Sequence, residues 1–349
     1  MIRVFCTKKI IEMLPKAPQP YTGEIPELDK WCVNLTTIQR RKAVIAICAD
    51  TRYGFVLWGL RKTEFEKLPE LISNGIRETF NYYGIRAEVA DAYLSGLPVL
   101  CTGNNRKDTA RLNRLTIDVS SMRFDSQLTD LLPIGLASII NDIPVDVTTK
   151  NAFFPLDRML EKLKEKYGMN PICRPAFEIT ARMDLDVTEA RRVVLVPASY
   201  TFEELHLSLQ AAFGWKKYHM YEFNIGQERI SCTDEWDDEE TPKLASDTVL
   251  SDYLKEGDEL VYYYDFGDSW EVSIRVTSLI PDFDKPGPEC TECEGAAPPE
   301  DVGGVPGFVE FMEVYKDPDH PEHEEMLEWV GYLWRPEPDI RSINARMRR

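Results

Sequence analysis

In the first half of the chain, apolar positions switch between strand-like runs and helical spacing. Short apolar runs predict a strand over residues 2–6 and a hairpin built from residues 43–48 and 53–58. Apolar residues three and four positions apart predict a helix over 63–83, with Thr63 as its N-cap. Three further helices are predicted over 108–122, 128–140 and 152–167, the second of them bent at Pro133.

The second half repeats this mixture in a different order. Strands are predicted over 176–185 and 192–197, and a capping box of Thr201 and Glu204 begins a helix that stops at Gly214. A short helix follows over 248–254. A hairpin is predicted over 260–276, where apolar and polar residues alternate and indicate one buried face. Dense Pro and Gly over 281–306 predict a long loop, and a last helix is expected over 321–330, with Pro321 in its first turn.

These patterns predict an α+β protein with two domains, each a small mixed or antiparallel sheet packed with helices. The length of 349 residues is sufficient for two separate cores. We place the first domain at 1–165, a linker at 166–175 and the second domain at 176–349. A content of 43% apolar and 29% charged residues is that of a globular protein rather than a disordered one.

Charge is distributed unevenly between the two predicted domains. Residues 1–165 contain 23 Lys and Arg against 20 Asp and Glu, a balance of +3. Because the net charge of the whole chain is −18, residues 166–349 have a balance of −21. Phosphate backbones repel such an acidic surface, so any contact with nucleic acid is expected in the first half. The acidic run at 234–240 is interpreted as a solvated loop.

The cysteines and the apolar runs predict the compartment. Eight cysteines in a chain of this length are too few for a disulfide scaffold, which favours a reducing compartment. The longest apolar run, residues 43–49, is far shorter than the ~20 residues needed to span a bilayer. The N-terminus has no signal-peptide pattern. We therefore expect a cytoplasmic protein without a membrane partner.

Five stretches of the second half resemble a known family. They are RRVVLVPASYTFEELHLSLQAAFGW, HMYEF, LKEGDELVYYYDFGDSWE, PPEDVGG and DPDHPEHEEMLEW, and they resemble the plasmid pRiA4b ORF-three-like family, also known as a transposon-passenger TnpR-like family. The resemblance covers nearly all of residues 176–349. It implies a compact α+β module without an established biochemical role, and a link to mobile elements.

The first half resembles a different family. Its stretches FCTKK, WCVNLTTIQRRKAVIAI and TGNNRKDTARLN are similar to a separate bacterial domain family without a known activity. In the second half, Val272 and Ala297 stand where members of the ORF-three-like family often carry His and Cys. Cys290 matches the first loop cysteine of that family, whereas Cys293 is particular to this chain.

Cys290, Cys293, His320 and His323 form a candidate zinc set. Two thiolates and two imidazoles are the right donors for a closed tetrahedral site, although the two pairs are 26 residues apart, longer than the spacing of a compact finger. The alternative is structural, because the segment around Pro321 also suits the acidic start of a helix. We expect no other cofactor.

A second candidate set lies around the turn of the 260–276 hairpin. Tyr264, Asp265, Asp268 and Trp270, together with Glu300 and Asp301 of the PPEDVGG stretch, are predicted to form a binding surface of aromatic and acidic side chains. The alternative is a tight turn in which Gly267 adopts positive φ and the carboxylates bond backbone amides. His206 and His219 are interpreted as structural.

Basic residues of the first domain form the third set. They are Arg40, Arg41, Lys42, Arg106, Lys107, Arg111 and Arg114. A patch of this kind contacts phosphates, although the local charge excess is smaller than that of most nucleic-acid-binding domains.

The sequence contains no phosphate-binding Gly-rich loop, hydrolase triad motif or dinucleotide fingerprint. It leaves catalysis open but favours a non-enzymatic protein whose acidic second domain binds another protein. Zinc at the cysteine–histidine set and nucleic-acid binding by the first domain are the two alternatives.

Overall fold

The computed structural model describes residues 1–103, 105–122, 128–147, 152–234, 241–332 and 334–348. The chain divides into two compact units, Met1–Ile172 and Cys173–Arg349. Each unit combines a sheet with helices, which confirms the α+β class. In the described ranges, no helix combines the length and apolar character needed to cross a bilayer.

The first unit is a five-stranded mixed sheet with helices on both faces. Strands β2, β3 and β4 form an antiparallel meander, and β1 pairs in parallel with both β2 and β5, in the order β4-β3-β2-β1-β5. The elements are β1 (Arg3–Cys6), α1 (Lys8–Ile11), β2 (Lys30–Ile38), β3 (Arg41–Cys48), β4 (Gly54–Trp58), α2 (Leu68–Tyr82), α3 (Ala87–Tyr93), β5 (Val99–Cys101), α4 (Arg106–Ser121), α5 (Ile134–Asp142) and α6 (Pro155–Tyr167).

Two hydrophobic clusters lie against opposite faces of this sheet. Alternate residues of β3 belong to different clusters: Val44 packs with residues of α2, α3 and α6, whereas Ile45 packs with residues of α4 and α5. Because both faces are covered, β3 is apolar along most of its length rather than alternating.

The second unit is an eight-stranded sheet in the order β10-β9-β8-β11-β12-β6-β7-β13, antiparallel except for β9 and β10. A single core cluster packs against α7, α9 and α11. The elements are β6 (Arg174–Asp184), β7 (Glu189–Pro197), α7 (Phe202–Phe213), β8 (Tyr221–Ile225), β9 (Glu228–Ser231), β10 (Lys243–Leu244), α8 (Leu250–Tyr253), β11 (Glu259–Tyr264), β12 (Trp270–Phe283), β13 (Glu289–Glu294), α9 (Gly304–Lys316), α10 (His323–Val330) and α11 (Ile340–Met347).

Several local predictions are confirmed. The capping box at the start of α7 is present, with the Thr201 hydroxyl accepting from the Glu204 N–H and the Glu204 carboxylate accepting from the Thr201 N–H. Gly214 ends this helix at φ 85°. The hairpin of β11 and β12 has the predicted alternation of buried and exposed residues over 270–276.

Other predictions are wrong. The predicted loop over 281–306 contains strand β13 and the start of α9. Strand β2 and helices α3 and α11 were not predicted. Thr63 is not an N-cap, because it lies inside a 3₁₀ helix, Lys62–Lys67, that precedes α2. Helix α5 begins after Pro133 instead of bending there, and α10 begins at His323, after Pro321.

Two further predictions concern the linker at 166–175 and the acidic run at 234–240. Helix α6 extends to Tyr167, inside the predicted 166–175 linker, and β6 begins at Arg174. Of the acidic run at 234–240, residues 235–240 lie outside the described residues.

Candidate functional site

Strand register brings the segment before β8 and the β11–β12 turn together at one end of three neighbouring strands of the second sheet. Tyr264, the last residue of β11, lies opposite Tyr221 at the start of β8 and opposite Trp270 at the start of β12. The segment before β8 and the β11–β12 turn are therefore neighbours. Asp265 confirms this by donating its N–H to the Met220 carbonyl over 3.0 Å.

The β11–β12 turn is fixed by its own polar groups. Asp265 and Ser269 have left-handed φ values of 56° and 57°, so the prediction that Gly267 adopts positive φ is wrong. The Asp265 carboxylate accepts from the Gly267 N–H over 3.0 Å, as the structural alternative predicted. Asp tolerates this conformation better than most residues because its side chain bonds the local backbone.

The PPEDVGG stretch is fastened beside this turn. The indole N–H groups of Trp215 and Trp334 donate to the carbonyls of Pro298 and Ala297, over 3.0 and 2.8 Å. The Asp268 carboxylate accepts from the Gly303 N–H over 3.2 Å. Gly304, at φ 70°, passes so close to the turn that a Cβ there would lie 2.7 Å from the Asp268 carbonyl oxygen.

These contacts assemble a cluster of one histidine and three carboxylates. The Nε2 atom of His219 lies 3.2 Å from Asp301 Oδ1, 3.5 Å from Asp265 Oδ2 and 3.8 Å from Glu300 Oε2. In the described ranges, His219, Asp265 and Asp301 are the one set of three His, Cys, Asp or Glu residues whose ligand atoms lie within 4.8 Å of one another. We call His219, Asp265, Glu300 and Asp301 the His219 cluster.

Buried tyrosines support the cluster from the core side. The Tyr264 hydroxyl donates to Glu300 Oε1 over 3.0 Å, and the same carboxylate accepts from the Lys216 N–H over 2.5 Å. Burial, followed by the negative charge of Glu300, raises the pKa of Tyr264. Tyr264 therefore remains a neutral donor that holds Glu300 in place.

A second polar chain fixes the loop that carries His219. Gln210 donates from Nε2 to the Tyr262 oxygen over 3.0 Å and accepts from the Lys217 N–H over 2.9 Å. The Tyr262 oxygen also lies 2.7 Å from His206 Nδ1, within hydrogen-bond distance. His206 also stacks on Tyr221 at 3.6 Å. Burial lowers the pKa of His206 to about 3, so its imidazole is neutral.

Exposed apolar residues lie next to members of the cluster in the chain. Tyr218 is 70% exposed, and Met220 and Phe266 are each 45% exposed. Tyr218 and Met220 flank His219 in the chain, and Phe266 follows Asp265. Together with the His219 cluster, they form what we call the acidic–aromatic site.

The structure brings together four of the six predicted binding residues, Tyr264, Asp265, Glu300 and Asp301. Asp268 lies beside them as the anchor of Gly303. Tyr264 and Trp270 are both fully buried, which corrects the prediction that they form an exposed surface. Sequence reasoning missed His219, Tyr218 and Phe266. The signal for His219 and Tyr218 was their position shortly before strand β8, where polar and aromatic residues meet.

The predicted zinc set does not converge. The Cys290 thiol donates to the Glu292 carbonyl on β13, and Cys293 donates to the Pro338 carbonyl. His323 Nδ1 lies 2.9 Å from the Val314 carbonyl at the end of α9, and His320 Nδ1 accepts from the Glu322 N–H. The two histidines thus fasten the α9–α10 connection, whereas α10 begins after Glu322 without a side-chain capping bond.

The predicted basic set is divided between two places in the first unit. Helix α4 runs alongside β2: Asp108 pairs with Lys30 at the start of the strand, and Ser120 lies beside Thr36 near its end. Arg106 and Lys107 therefore lie at the opposite end of β2 from Arg40, Arg41 and Lys42, about 25 Å away at the usual rise per residue. Asn104 lies outside the described residues.

Some of these basic residues have partners within the unit. Arg111 pairs with Asp108 and donates to the Ala49 carbonyl, Arg114 pairs with Asp118, and Arg41 lies 5.0 Å from the Trp58 ring centre. A cleft of about 380 Å³ at the start of α4 is lined by Lys107 and Arg111 but also by Glu27, Asp50 and Asp108. Its mixed charge does not favour phosphate.

The fold and the site define a two-unit α+β protein with a carboxylate–histidine cluster at the ends of three neighbouring strands. Comparison with protein families assigns both halves. Residues 175–341 match the plasmid pRiA4b ORF-3-like protein family, and the chain belongs to this family, as the sequence resemblance predicted. Residues 3–158 match a domain of unknown function, DUF6933.

Two individual proteins illustrate these similarities. The chain is 38% identical over 161 residues to the uncharacterized protein y4hQ of Sinorhizobium fredii, which covers 45% of this chain and 82% of that protein. It is also similar to the crystal structure of a protein of unknown function from Methanosarcina mazei Go1, with 33% identity and a TM-score of 0.44, covering 49% of this chain and 97% of that one.

Proposed function

We propose that this is a non-enzymatic protein whose second unit binds a basic segment of a partner protein at the acidic–aromatic site. The observation that carries the proposal is that exposed Tyr218 and Phe266 directly flank, in the chain, His219 and Asp265 of the carboxylate-rich cluster. A Lys or Arg side chain suits this arrangement, because its cation is attracted both to an aromatic face and to a carboxylate.

The charge of the second half supports the same partner class. Residues 166–349 carry a balance of −21, which attracts a basic protein over a distance of about a Debye length and accelerates its association. The side chain of Asp301 is 65% exposed and is therefore placed to meet a partner, whereas those of Asp265 and Glu300 are almost fully buried.

Binding is favoured over catalysis by the engagement of two potential proton-transfer groups of the site. Tyr264 and Glu300 are buried and bonded to each other, and Glu300 also accepts from the backbone of Lys216. Both groups act as supports of the loop rather than as acid and base toward a substrate.

The compartment and the wider context belong to the same proposal. The eight cysteines, all of which the structure describes, form no disulfide, which supports the cytoplasm as the compartment. The family description refers to a plasmid open reading frame, which supports a link to mobile elements. Genes of close relatives placed at random with respect to insertion sequences and plasmids would contradict that link.

The test is an affinity capture with the full chain and three variants. Tyr218→Ser/Phe266→Ser removes the exposed aromatic pair, and Asp301→Lys reverses the exposed charge. Tyr332→Ser, at a residue that follows α10 and is 85% exposed, is the matched control. Asp265 and Asp268 are left unchanged because their carboxylates bond backbone amides.

We expect the wild type and the Tyr332 control to retain the same partner, and both site variants to lose at least ten-fold in affinity. A synthetic basic segment of that partner is then expected to bind the purified chain, more weakly at higher salt. Equal retention by all four proteins, or capture of acidic partners, would contradict the proposal.

A further inference from the structure

The His219 cluster has the composition and spacing of a metal site. We propose that His219 Nε2, Asp265 and Asp301 bind one divalent transition-metal ion of the Zn²⁺ or Mn²⁺ class. This inference goes beyond partner binding and does not depend on it.

The distances between the donor atoms match those around a single ion. Nitrogen and oxygen ligands lie about 2.0–2.2 Å from such an ion, which places neighbouring ligands about 3.0–3.6 Å apart in tetrahedral or octahedral geometry. His219 Nε2 lies 3.2 Å from Asp301 Oδ1 and 3.5 Å from Asp265 Oδ2. Little movement of the three side chains is therefore needed to close around an ion.

The unsatisfied Nε2 atom of His219 supports a shared ligand. The Nε2 atom is buried and makes no hydrogen bond of acceptable geometry to any described residue, although three carboxylate oxygens lie within 4 Å. An ion shared with these carboxylates would give the buried nitrogen a partner.

The local charge also favours a cation. Asp265 and Glu300 have side chains only 8% and 3% exposed, and Asp301 adds a third negative charge within 3.2 Å of the imidazole. Buried carboxylates are stabilised when they are paired with a cation or coordinate a metal. Glu300 is a positioning residue, since its oxygens accept bonds from Tyr264 and the Lys216 N–H.

The donor set selects the class of ion. Imidazole suits Zn²⁺ and other transition ions, whereas Mg²⁺ and Ca²⁺ prefer oxygen donors alone. Mn²⁺ accepts the carboxylates as well as the imidazole. Because Asp301 is exposed to solvent, water is expected to complete the coordination.

The test uses the full chain after treatment with a chelator, titrated with ZnCl₂ and MnCl₂ by calorimetry. His219→Gln and Asp301→Asn remove one ligand each, and the second substitutes an exposed side chain that is not needed for packing. His323→Gln is the matched control, because it alters another histidine of the same unit. Circular dichroism and the unfolding midpoint in chelator verify that each variant is folded.

A second measurement separates this site from the cysteine pair. Co²⁺ bound by imidazole and carboxylates has no thiolate-to-cobalt charge-transfer absorption, whereas Co²⁺ bound at Cys290 and Cys293 has it. We expect one ion per chain, no thiolate band, a raised unfolding midpoint with metal, and at least ten-fold weaker binding in His219→Gln and Asp301→Asn but not in His323→Gln.

The inference is overturned if neither ion binds, if both ligand variants bind as the wild type does, or if the thiolate band appears. Failure here leaves partner capture by Tyr218 and Phe266 unaffected, and capture is therefore measured both with and without chelator. The Tyr218→Ser/Phe266→Ser variant is expected to bind metal normally.

Discussion

The buried imidazole of His206 makes stability depend on pH in a defined direction. Burial lowers its pKa to about 3, while a histidine in the unfolded chain titrates near 6.5. Between these values the unfolded chain binds more protons than the folded one, so stability falls as pH decreases. The contribution is complete above pH 6.5, and its loss has a maximum slope of about 1.4 kcal/mol per pH unit.

We predict that the His206 ring does not titrate between pH 8 and 5 in the folded protein. The chain has four histidines, so NMR resonances can be assigned with His206→Gln. Denaturant unfolding should also show a weaker loss of stability below pH 6.5 in this variant than in the wild type. A His206 midpoint near 6.5 would show that the ring is solvated and that the Tyr262 contact is absent.

Residue-scale predictions from sequence succeeded where the determinants are close together in the chain. The Thr201–Glu204 capping box needs residues three positions apart, and Gly214 ends its helix without help from elsewhere. The turn at 265–269 was harder. Gly267 was the obvious residue for positive φ, but the contacts of Asp265 with Gly267 and Met220 place the left-handed conformation on Asp265 instead.

At the scale of elements, the Asn344 side chain ties helix α11 to edge strand β13. The Asn344 amide accepts from the Cys290 N–H over 2.7 Å and donates to the Cys290 carbonyl over 2.9 Å. This pair substitutes for a further strand and satisfies one residue of the exposed ladder. We predict that Asn344→Ala destabilises the second unit by about 1–3 kcal/mol, because both backbone groups lose their partner.

Hydrogen exchange measures this effect directly. The Cys290 amide should exchange much faster in Asn344→Ala, as should amides of α11 if the helix detaches. Arg341→Ala, on an exposed position of the same helix, serves as the control and should leave exchange at Cys290 unchanged. Equal protection in both variants would mean that the amide pair contributes little to docking.

Elements whose partners are distant in the chain were the ones that sequence reasoning missed. Strand β13 is rich in Glu and Cys and has no apolar alternation, and it forms because β7 and α11 lie beside it. Strand β2 includes Asn34 and Lys30, which are buried beside α4, where Thr116 and Asp108 bond them. No window of neighbouring residues contains that information.

At the scale of the whole molecule, the concentration of negative charge in residues 166–349 predicts a response to salt. The like charges repel in the folded state, and added ions screen them. In the presence of a chelator, raising NaCl from about 20 to 300 mM should raise the thermal unfolding midpoint of the second unit by roughly 2–4 °C, equivalent to about 1 kcal/mol.

Choline chloride at the same ionic strength is the control, because its bulky cation screens charge without entering a small site. Both salts should give similar increases. A rise with NaCl alone would point to specific ion binding, and a fall with both would show that favourable ion pairs outweigh the repulsion.

The α+β class and the family of the second half could be predicted because the evidence is spread along the chain. The His219 cluster could not, since its members at 219, 265, 300 and 301 come from three separate loops. The register of β8, β11 and β12, together with the contacts of the PPEDVGG stretch, brings them to one end of these strands. The acidic residues were candidates for a binding surface because of the aromatic residues and the PPEDVGG stretch around them, whereas His219 was interpreted as structural.

The covering of the two sheets differs, and this affects how freely their residues can change during evolution. Helices pack on both faces of the first sheet, so a substitution in β3 disturbs one core or the other. Along residues 270–276 of β12, every second side chain is exposed. We therefore expect mutational tolerance in the second unit to rise and fall with a two-residue rhythm, while the central strands of the first unit change slowly at every position.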